Sequence, residues 1–328
     1  QPHVTEPLRL FLRAAVERGE PLEHVLLWGP PGLGKTTLAS ILAHETGKKL
    51  HVVAAPNLEK KSDVASILSR LEPGDVFFID EIHRLQPPIE ELLYSAMEDF
   101  RIDLILASGS TSARTVSMDV CPFTLVGATT RPGMLTQPMR DRFGLAFALE
   151  WYSEADLISI LARSAALLRI DLAPEAAKLI AHRSRGTPRV ANALLRRARD
   201  LAQVERLYET GGEPPPGLLE VREEAAEEAL TLLRIDSLGL GPTDRKILYA
   251  LRALFGPRPV GLTTLAQCIG EDRGTLESVH EPHLMRCGLI VRTPRGRCLT
   301  EKGLAHLRAL QAAFDTGAIR VRNSRSTG

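Results

Sequence analysis

In the first 150 residues, short runs of consecutive apolar residues alternate with longer segments in which apolar residues recur at helical spacing. The short runs predict strands at His24–Trp28, Leu50–Ala54, Val76–Ile79, Phe123–Gly127 and Leu145–Leu149. The longer segments predict helices at Glu6–Arg18, Thr36–Thr46, Ser62–Leu71 and Ile89–Asp99. This alternation favours an α/β domain whose parallel sheet is covered by helices on both faces.

The segment from Asp103 to Val120 interrupts this alternation. Apolar and polar residues alternate on both sides of the sequence Ser108-Gly-Ser-Thr-Ser112, which is rich in turn-forming residues. We therefore expect a β-hairpin inserted into the α/β domain at residues 103–120.

Residues 151–235 show a helical pattern throughout and predict a small helical bundle. Ser153, followed three residues later by Asp156, is typical of a capped helix start. Pro174 and Pro188 stand where two further helices begin. The glycines and prolines of residues 211–217 predict a loop between helices.

After a predicted linker at Gly239-Leu-Gly-Pro242, the remaining pattern predicts three helices, two short strands and a last helix. The helices are expected at Thr243–Leu254, Leu262–Ile269 and Gly274–Cys287, the strands within Leu289–Thr300, and the last helix at Glu301–Phe314. Three helices followed by a β-wing indicate a winged helix, a variant of the helix-turn-helix. We expect domains at residues 1–150, 151–238 and 239–328.

Composition refines this organisation in one respect, the distribution of charge. The 328 residues carry a formal net charge of +1, but the stretch from Gly241 onward holds 14 Lys/Arg against 7 Asp/Glu. A basic section of this kind favours contact with a polyanion, although a solvated basic surface is the simpler alternative.

Cysteines and hydropathy indicate the compartment. Four cysteines are irregularly spaced, at positions 121, 268, 287 and 298. None of them forms a C-x-x-C pair, so the sequence indicates neither a zinc site nor a disulfide framework. No apolar run approaches the roughly 18 residues of a membrane span, and no secretory leader is visible. We expect a cytoplasmic protein without membrane contact. The chain begins with Gln1, and we expect it to lack a natural N-terminus.

The most informative motif is the P-loop sequence Gly29-Pro-Pro-Gly-Leu-Gly-Lys35-Thr36-Thr37, which lies between a predicted strand and a predicted helix. Glycines at 32 and 34 let the backbone curl so that its amides point at phosphate oxygens. Lys35 is expected to reach the β- and γ-phosphates, and the Thr36 hydroxyl is expected to bind Mg²⁺.

A second motif, Val76-Phe-Phe-Ile-Asp80-Glu81-Ile-His83, is an apolar strand that ends in two carboxylates. We expect these carboxylates to lie beside the P-loop in the parallel sheet. Asp80 would hold Mg²⁺ and Glu81 would activate the attacking water, so the pair predicts nucleoside triphosphate hydrolysis. For His83, local packing or hydrogen bonding is an equally good interpretation.

Hydroxyl and arginine side chains elsewhere are candidates for contact with the γ-phosphate. Thr129 follows the predicted strand Phe123–Gly127 by two residues, where it either contacts the phosphate or its water, or caps the next turn. Arg140 and Arg142 flank Asp141; one is expected to pair with Asp141 and the other to project as an arginine finger.

An arginine near a helix start is disfavoured by the helix dipole, which suggests that Arg189, directly after Pro188, has a function. We expect Arg189 to reach the γ-phosphate and report its presence to the helical bundle. A surface arginine without a role is the alternative.

Taken in order, these motifs resemble those of AAA+ ATPases, and more closely those of the RuvB family of Holliday-junction branch-migration motors. The resemblance covers nearly the whole chain and is carried by Leu22–Ala39, Phe78–Leu85, Tyr94–Asp99, Gly127–Arg131, Arg140–Gly144, Arg185–Arg189 and Arg292–Arg297. It implies an α/β P-loop ATPase domain, a helical lid and a winged-helix DNA-binding head. It also implies homohexameric rings that move double-stranded DNA at four-way junctions with RuvA as partner, using ATP and Mg²⁺, in recombination and repair.

The resemblance further assigns roles to individual residues. It implies that Arg142 is the finger acting on a neighbouring subunit, Thr129 the first sensor and Arg189 the second. Nucleotide contacts are implied for Glu98, Asp99, Phe100 and Tyr152. DNA phosphate contacts, independent of base sequence, are implied for Arg292, Arg295 and Arg297.

Beside the family's N-terminal stretch, which helps to hold the adenine and which we expect to be missing here, the chain departs from the family pattern at two places. Ala54-Ala-Pro56 stands where the family has Ser-Gly-Pro. The hairpin segment Ala107-Ser-Gly-Ser-Thr-Ser-Ala-Arg114, which in the family docks RuvA, is one residue longer here. The second departure concerns the docking surface more than the ATPase.

Two other functions compete with an ATP-driven DNA translocase. An AAA+ initiator or clamp loader would use ATP as an assembly switch on DNA, whereas a scaffold would bind ATP without turnover. The hairpin and the arginine-rich wing favour the translocase over the switch. Asp80, Glu81, Thr129 and Arg142 argue against a scaffold that has lost hydrolysis.

Overall fold

A computed structural model describes residues 1–108, 112–209 and 217–315, and the chain divides into two compact units, residues 1–150 and 151–328. The predicted turn of the hairpin, the predicted loop at 211–217 except for its last residue, and the end of the chain after residue 315 lie outside the described residues.

The first unit is built on a parallel sheet, as the alternating pattern predicted. Its strands, including those of the inserted hairpin, are β1 Val25–Trp28, β2 Leu50–Ala54, β3 Val76–Asp80, β4 Arg101–Ser108, β5 Ser112–Asp119, β6 Thr124–Thr129 and β7 Leu145–Ala148. The sheet has the order β2-β3-β6-β1-β7, and each pair is parallel. Strands β1, β3 and β6, in the middle of the sheet, are the buried ones, because both of their faces are covered.

Helices surround this sheet and bury their apolar stripes against it. They are α1 Pro2–Arg18, α2 Lys35–Glu45, α3 Lys61–Leu68, α4 Pro87–Glu98 and α5 Gln137–Asp141. Phe77, Phe123 and Leu93 are among the fully buried side chains that fill the space between the layers. The predicted strands and helices of this unit are therefore confirmed, with shifts of a few residues at their ends.

The inserted hairpin is also confirmed. Strands β4 and β5 pair antiparallel, from Arg101 opposite Asp119 to Ser108 opposite Ser112. Its base is anchored in the main core, because Ile102 is fully buried there and Val120 donates its amide to the Phe100 carbonyl.

The second unit begins with a helical bundle that contains one feature the pattern did not predict. Its helices are α6 Glu154–Leu168, α7 Pro174–Arg183, α8 Pro188–Glu209 and α9 Glu223–Leu232. Ser153 and Asp156 form the predicted capping box. The prediction of helix throughout was wrong at two short segments, since β8 Ile170–Leu172 and β9 Leu219–Val221 form a parallel pair. Both segments are too short to show a period by themselves.

The remainder of the second unit has the winged-helix order. Helix α10 Pro242–Ala250 continues as a π-helical turn, Leu251–Phe255, and is followed by α11 Leu262–Ile269. The third helical run is divided into α12 Arg273–Thr275, a π-helical turn Leu276–His280, and α13 Glu281–Arg286. Strands β10 Ile290–Thr293 and β11 Gly296–Leu299 form the predicted antiparallel wing, and α14 Glu301–Asp315 follows.

The segment between bundle and winged helix, predicted as a linker, is held from both sides. Arg183 donates to the Asp236 carbonyl at 2.6 Å, and Arg185 donates to the Gly239 carbonyl at 2.7 Å. From the winged helix, His283 Nε2 bonds to the Leu238 carbonyl at 3.0 Å. This backbone is therefore fixed by side chains of both domains.

Candidate nucleotide site

The P-loop takes a conformation that only glycine allows at its two ends. Gly29 follows β1 with φ +144°, and a Cβ there would overlap the Leu149 carbonyl oxygen. Gly34 precedes α2 with φ +99°, in the left-handed region, and Gly32 has φ +82°. The loop curls onto the N-terminus of α2, where backbone amides and the helix dipole favour an anion.

Lys35, the first residue of α2, lies beneath this loop. Only 7% of the residue is exposed, and Nζ donates to the Gly29 carbonyl at 2.8 Å and the Pro30 carbonyl at 3.0 Å. Thr36 and Thr37 are exposed in the first turn of the helix. The predicted phosphate-binding residues are thus brought together at one end of the sheet.

The carboxylates that end β3 lie at the same edge of the sheet as the P-loop, but not directly beside it. The prediction that they lie beside the P-loop is corrected here, because strand β6 lies between β3 and β1, the strand that leads into the P-loop. Asp80 accepts the Glu81 amide at 3.1 Å. Glu81 has φ +50°, a left-handed conformation that non-glycine residues adopt at a cost and that is frequent at functional sites.

The Glu81 carboxylate is oriented chiefly by Thr130, a residue that the sequence did not single out. Oε2 accepts the Thr130 amide at 3.1 Å and the Thr130 hydroxyl at 3.0 Å, while Oε1 is 3.2 Å from the same hydroxyl. The Glu81 side chain remains 31% exposed. The two adjacent threonines gave a signal for this position, but the sequence did not decide which of them faces Glu81.

Thr129 is fully buried at the end of β6. Its Oγ1 accepts the Arg131 amide at 2.9 Å and lies 2.8 Å from His83 Nδ1. The same nitrogen is 3.2 Å from Glu81 Oε2. Thr129 therefore contacts the carboxylate side of the site through His83, and its buried hydroxyl also has the capping role that the sequence allowed.

The environment of His83 keeps its imidazole neutral near pH 7. Its side chain is only 7% exposed. Burial is the largest influence and lowers the pKa of His83; Glu81 raises it, whereas Arg131 and Arg84 lower it further.

Arg142 is held by residues of its own subunit at the surface of the first unit. Its Nη2 donates to Glu98 Oε2 at 3.0 Å, and Nη1 donates to the Pro138 carbonyl at 2.8 Å. The guanidinium stacks on the Tyr94 ring at 4.3 Å. The Arg142 side chain is 20% exposed and that of Glu98 is 56% exposed, so the pair lies near the surface rather than in the core.

The expected pairing of Asp141 with an arginine is wrong. Asp141 instead accepts the Gln137 side-chain amide at 2.6 Å, and Arg140 donates to the Leu135 carbonyl at 3.0 Å. Arg140 thus has a structural role, as expected for one of the two arginines, but with a different partner.

Three predicted nucleotide contacts lie at the end of α4 and directly after it, and each has different surroundings. Glu98 pairs with Arg142, and Asp99 is exposed. The Phe100 ring packs against the hydrophobic core of the first unit, with its centroid 6.2 Å from that of the Phe123 ring. The Phe100 ring therefore fills apolar space at the base of the hairpin, and the residue is half-buried.

In the second unit, Tyr152 and Arg189 belong to the helical bundle. Tyr152 packs against the bundle core and donates its amide to the Gly186 carbonyl at 3.0 Å. Arg189 is the second residue of α8 and is exposed.

The wing separates the three predicted DNA contacts. Arg292 and Arg295 are exposed, on β10 and in the following turn. Arg297 is buried: its guanidinium makes a two-pronged ion pair with the buried carboxylate of Glu281, with Nη2 at 3.0 Å from Oε2. The prediction of a phosphate contact was wrong for Arg297, because its charge is already neutralised inside the winged helix.

The residues expected to bind Mg²⁺ are hard oxygen donors, which suit that ion. Within residues 1–108, 112–209 and 217–315, no group of three or more His, Cys, Asp or Glu side chains is arranged to hold a metal by itself. A site made of the Thr36 hydroxyl and the Asp80 carboxylate fits an ion that takes its remaining ligands from phosphate and water. Over the same ranges, no helix is long and apolar enough to cross a membrane.

Family models match this chain in three consecutive segments. Residues 1–149 match the Holliday junction DNA helicase RuvB P-loop domain, residues 152–236 the RuvB AAA lid domain, and residues 237–308 the RuvB C-terminal winged-helix domain. Among solved structures, the chain is similar to the Thermotoga maritima RuvB Holliday junction branch migration motor, with 45% identity, 94% of each chain covered and a TM-score of 0.82. A proline-to-glycine mutant of that protein gives 45% identity over 93% of this chain and 94% of the other, with a TM-score of 0.83. The chain therefore belongs to the RuvB family of AAA+ Holliday junction branch migration ATPases.

Proposed function

We propose that this chain hydrolyses ATP at the P-loop edge of its sheet and uses the energy to drive branch migration of four-way DNA junctions. The observation that carries this function is the similarity to the Thermotoga maritima branch migration motor over 94% of both chains. The gathering of Lys35, Asp80 and Glu81 at one sheet edge supports the hydrolytic part.

In this proposal each residue at the edge has a separate task. Lys35 neutralises charge on the β- and γ-phosphates, and the loop amides bind their oxygens. Glu81 accepts a proton from the attacking water. Thr36 and Asp80 would hold Mg²⁺, which supplies charge neutralisation at the phosphates when it is bound.

Arg142 is proposed to act on the nucleotide of a neighbouring subunit in a homohexamer. Its position near the surface supports this role, but the guanidinium must exchange Glu98 for the phosphate of the neighbour. Arg189 and Tyr152 are proposed to sense or contact nucleotide from the helical bundle. Contact with nucleotide is likewise proposed for Glu98, Asp99 and Phe100, on the resemblance to the family.

The DNA-facing part of the proposal now rests on Arg292 and Arg295. Both are exposed in a section of the chain with excess positive charge, and guanidinium groups suit sequence-independent contact with phosphates. RuvA docking on the hairpin and a cytoplasmic location remain proposals, and the side chains of residues 105–114 lie outside the described part of the chain.

The test of function measures strand exchange on synthetic four-way junctions together with ATP hydrolysis, with and without RuvA. We expect ATP-dependent junction dissociation and strong stimulation of hydrolysis by DNA and RuvA, both abolished in Lys35→Ala. An assembly switch of the initiator or clamp-loader type would bind the junction without moving its strands, and that result would reject the motor.

A mixing experiment tests the role of Arg142 in trans. Arg142→Ala and Glu81→Gln subunits should each bind nucleotide and be inactive alone. If the finger acts across a subunit boundary, mixed rings should recover part of the activity, because some interfaces then combine an intact Arg142 with an intact Glu81. Mixtures that stay inactive, although an affinity tag on one variant co-purifies the other, would argue for action within one subunit.

A further inference from the structure

We infer that His83 is a positioning residue for ATP hydrolysis, because its imidazole lies between the end of β6 and the Glu81 carboxylate. The inference rests on the proposed role of Glu81 as the base. It concerns a residue for which the sequence left local packing or hydrogen bonding as an equally good interpretation.

The geometry places one ring nitrogen between two functional groups. His83 Nδ1 is 2.8 Å from Thr129 Oγ1 and 3.2 Å from Glu81 Oε2. A lone pair on Nδ1 would be repelled by the lone pairs of the carboxylate oxygen. The tautomer with a proton on Nδ1 is therefore favoured. That proton is shared between the hydroxyl at the end of β6 and the carboxylate that follows β3.

The bonds to Glu81 are unequal between its two oxygens. Oε2 receives the Thr130 amide, the Thr130 hydroxyl and His83, whereas Oε1 has only the longer contact of 3.2 Å to the same hydroxyl among the described residues. Oε1 therefore keeps lone pairs for the proton of water. His83 and Thr130 together fix the plane of the carboxylate and determine which oxygen faces the substrate.

A neutral donor suits this task better than a cation. A positive charge at 3.2 Å would stabilise the charged carboxylate and weaken it as a proton acceptor. Burial lowers the pKa of His83, and the groups that face it, Glu81, Arg131 and Arg84, do not reverse this direction. His83 thus orients Glu81 as a neutral donor.

The experiment compares two replacements of the same ring. His83→Leu removes the donor, whereas His83→Asn places an amide N–H near the position of Nδ1. We expect kcat for ATP to fall about tenfold or more in His83→Leu and to be largely recovered in His83→Asn. The affinity for a non-hydrolysable ATP analogue and the melting temperature should change little in both variants. His182→Leu makes the same chemical change at a residue whose side chain is 54% exposed in the second unit and should leave kcat unchanged.

A double variant separates this inference from the role of Glu81 itself. If His83 acts through Glu81, the pair Glu81→Gln and His83→Leu should be no slower than Glu81→Gln alone. A wild-type kcat in His83→Leu beside an inactive Glu81→Gln would overturn the inference and leave Glu81 as base. A wild-type rate in Glu81→Gln would instead remove the base on which the inference rests. Equal loss of rate and stability in the leucine and asparagine variants would reduce His83 to a packing residue.

Discussion

Two carboxylates, Glu81 in the first unit and Asp244 in the second, are each held by several hydrogen bonds but in opposite environments. Glu81 is 31% exposed and is bonded by an amide, a hydroxyl and a neutral imidazole. Asp244 is 1% exposed and is bonded by Arg185 at 2.5 Å, by His280 at 2.7 Å and by the Gly241 amide at 2.8 Å.

The difference shows how similar bonding holds a carboxylate that we propose as the catalytic base in one place and a structural carboxylate in the other. Neutral donors fix the direction of Glu81 and leave its side chain partly exposed. Burial alone would raise the pKa of Asp244, but His280, Arg185 and the Gly241 amide together hold it below its ordinary value. Asp244 therefore stays charged and joins the bundle, through Arg185, to α10 of the winged helix.

The largest expected effect separates the two carboxylates by activity. Glu81→Gln keeps the shape and the hydrogen bonds from Thr130 but removes the base, so kcat should fall about 10²- to 10⁴-fold. The free energy of unfolding should stay within about 0.5 kcal/mol of the original, since Glu81 is partly exposed. Steady-state ATPase assays and urea unfolding measure the two quantities, and a large loss of stability would contradict the comparison.

The matching change at Asp244 should affect stability first. Asp244→Ala leaves Arg185 without its buried partner, which typically costs about 3–5 kcal/mol of unfolding free energy. Urea unfolding in a Trp28→Phe background measures this, because Trp151 is then the single tryptophan and reports on the second unit. As a control, Asp200→Ala removes a 39% exposed partner of Arg197 and Arg199 and should cost about 1 kcal/mol or less. A similar loss of unfolding free energy in both variants would show that the buried Asp244 contacts stabilise the protein no more than an exposed ion pair does.

The same junction should give the second unit a dependence on pH. Burial lowers the pKa of His283 to about 4, outweighing its bond to the Leu238 carbonyl, which raises it. The unfolded chain binds this proton near pH 6.5 and the folded chain only near pH 4, so stability is complete above pH 6.5 and falls as the pH decreases between these values. The full loss is about 3 kcal/mol.

His283→Gln provides the matched variant for that measurement. Glutamine keeps a donor for the Leu238 carbonyl but does not titrate, so the difference in unfolding free energy between the two proteins should change with pH between 7 and 4. A constant difference across this range would show that His283 is protonated in the folded chain as easily as in the unfolded one.

The smallest expected effects on stability concern the exposed wing. Arg295→Ala should weaken binding to duplex DNA about equally for all sequences and reduce the slope of log K against log salt by about one, with little change in the free energy of unfolding.

Arg297→Ala should instead destabilise the winged helix, because it leaves Glu281 buried without its partner. Fluorescence anisotropy at several salt concentrations, combined with unfolding, distinguishes the two arginines. A normal salt slope in Arg295→Ala would remove it from the DNA surface.

Particular residues show how far the sequence could predict this site. The glycines at 29 and 34, Lys35 and the strand ending in Asp80 were predictable because the P-loop is a local structure whose spacing fixes its chemistry. The choice between Thr129 and Thr130 was not predictable, since it depends on which face of the strand end meets Glu81.

The arginines of the wing show most clearly what the sequence could not predict. Arg295 and Arg297 are two residues apart in one basic motif, and nothing in their spacing distinguishes them. Only the packing of β11 against α13 places Arg297 beside Glu281, sixteen residues earlier, and leaves Arg295 in the turn.

The sequence by itself determined the order of strands and helices outside the short β8–β9 pair, the phosphate-binding loop and the family, because these follow from local periodicity and from motifs of fixed spacing. The tertiary structure alone decided which charged groups are buried and paired: Arg297 with Glu281, Asp244 with Arg185, and His83 beside Glu81. The physical reason is that burial and pairing depend on residues brought together from distant parts of the chain, and they determine whether a charged side chain binds a ligand or stabilises the fold.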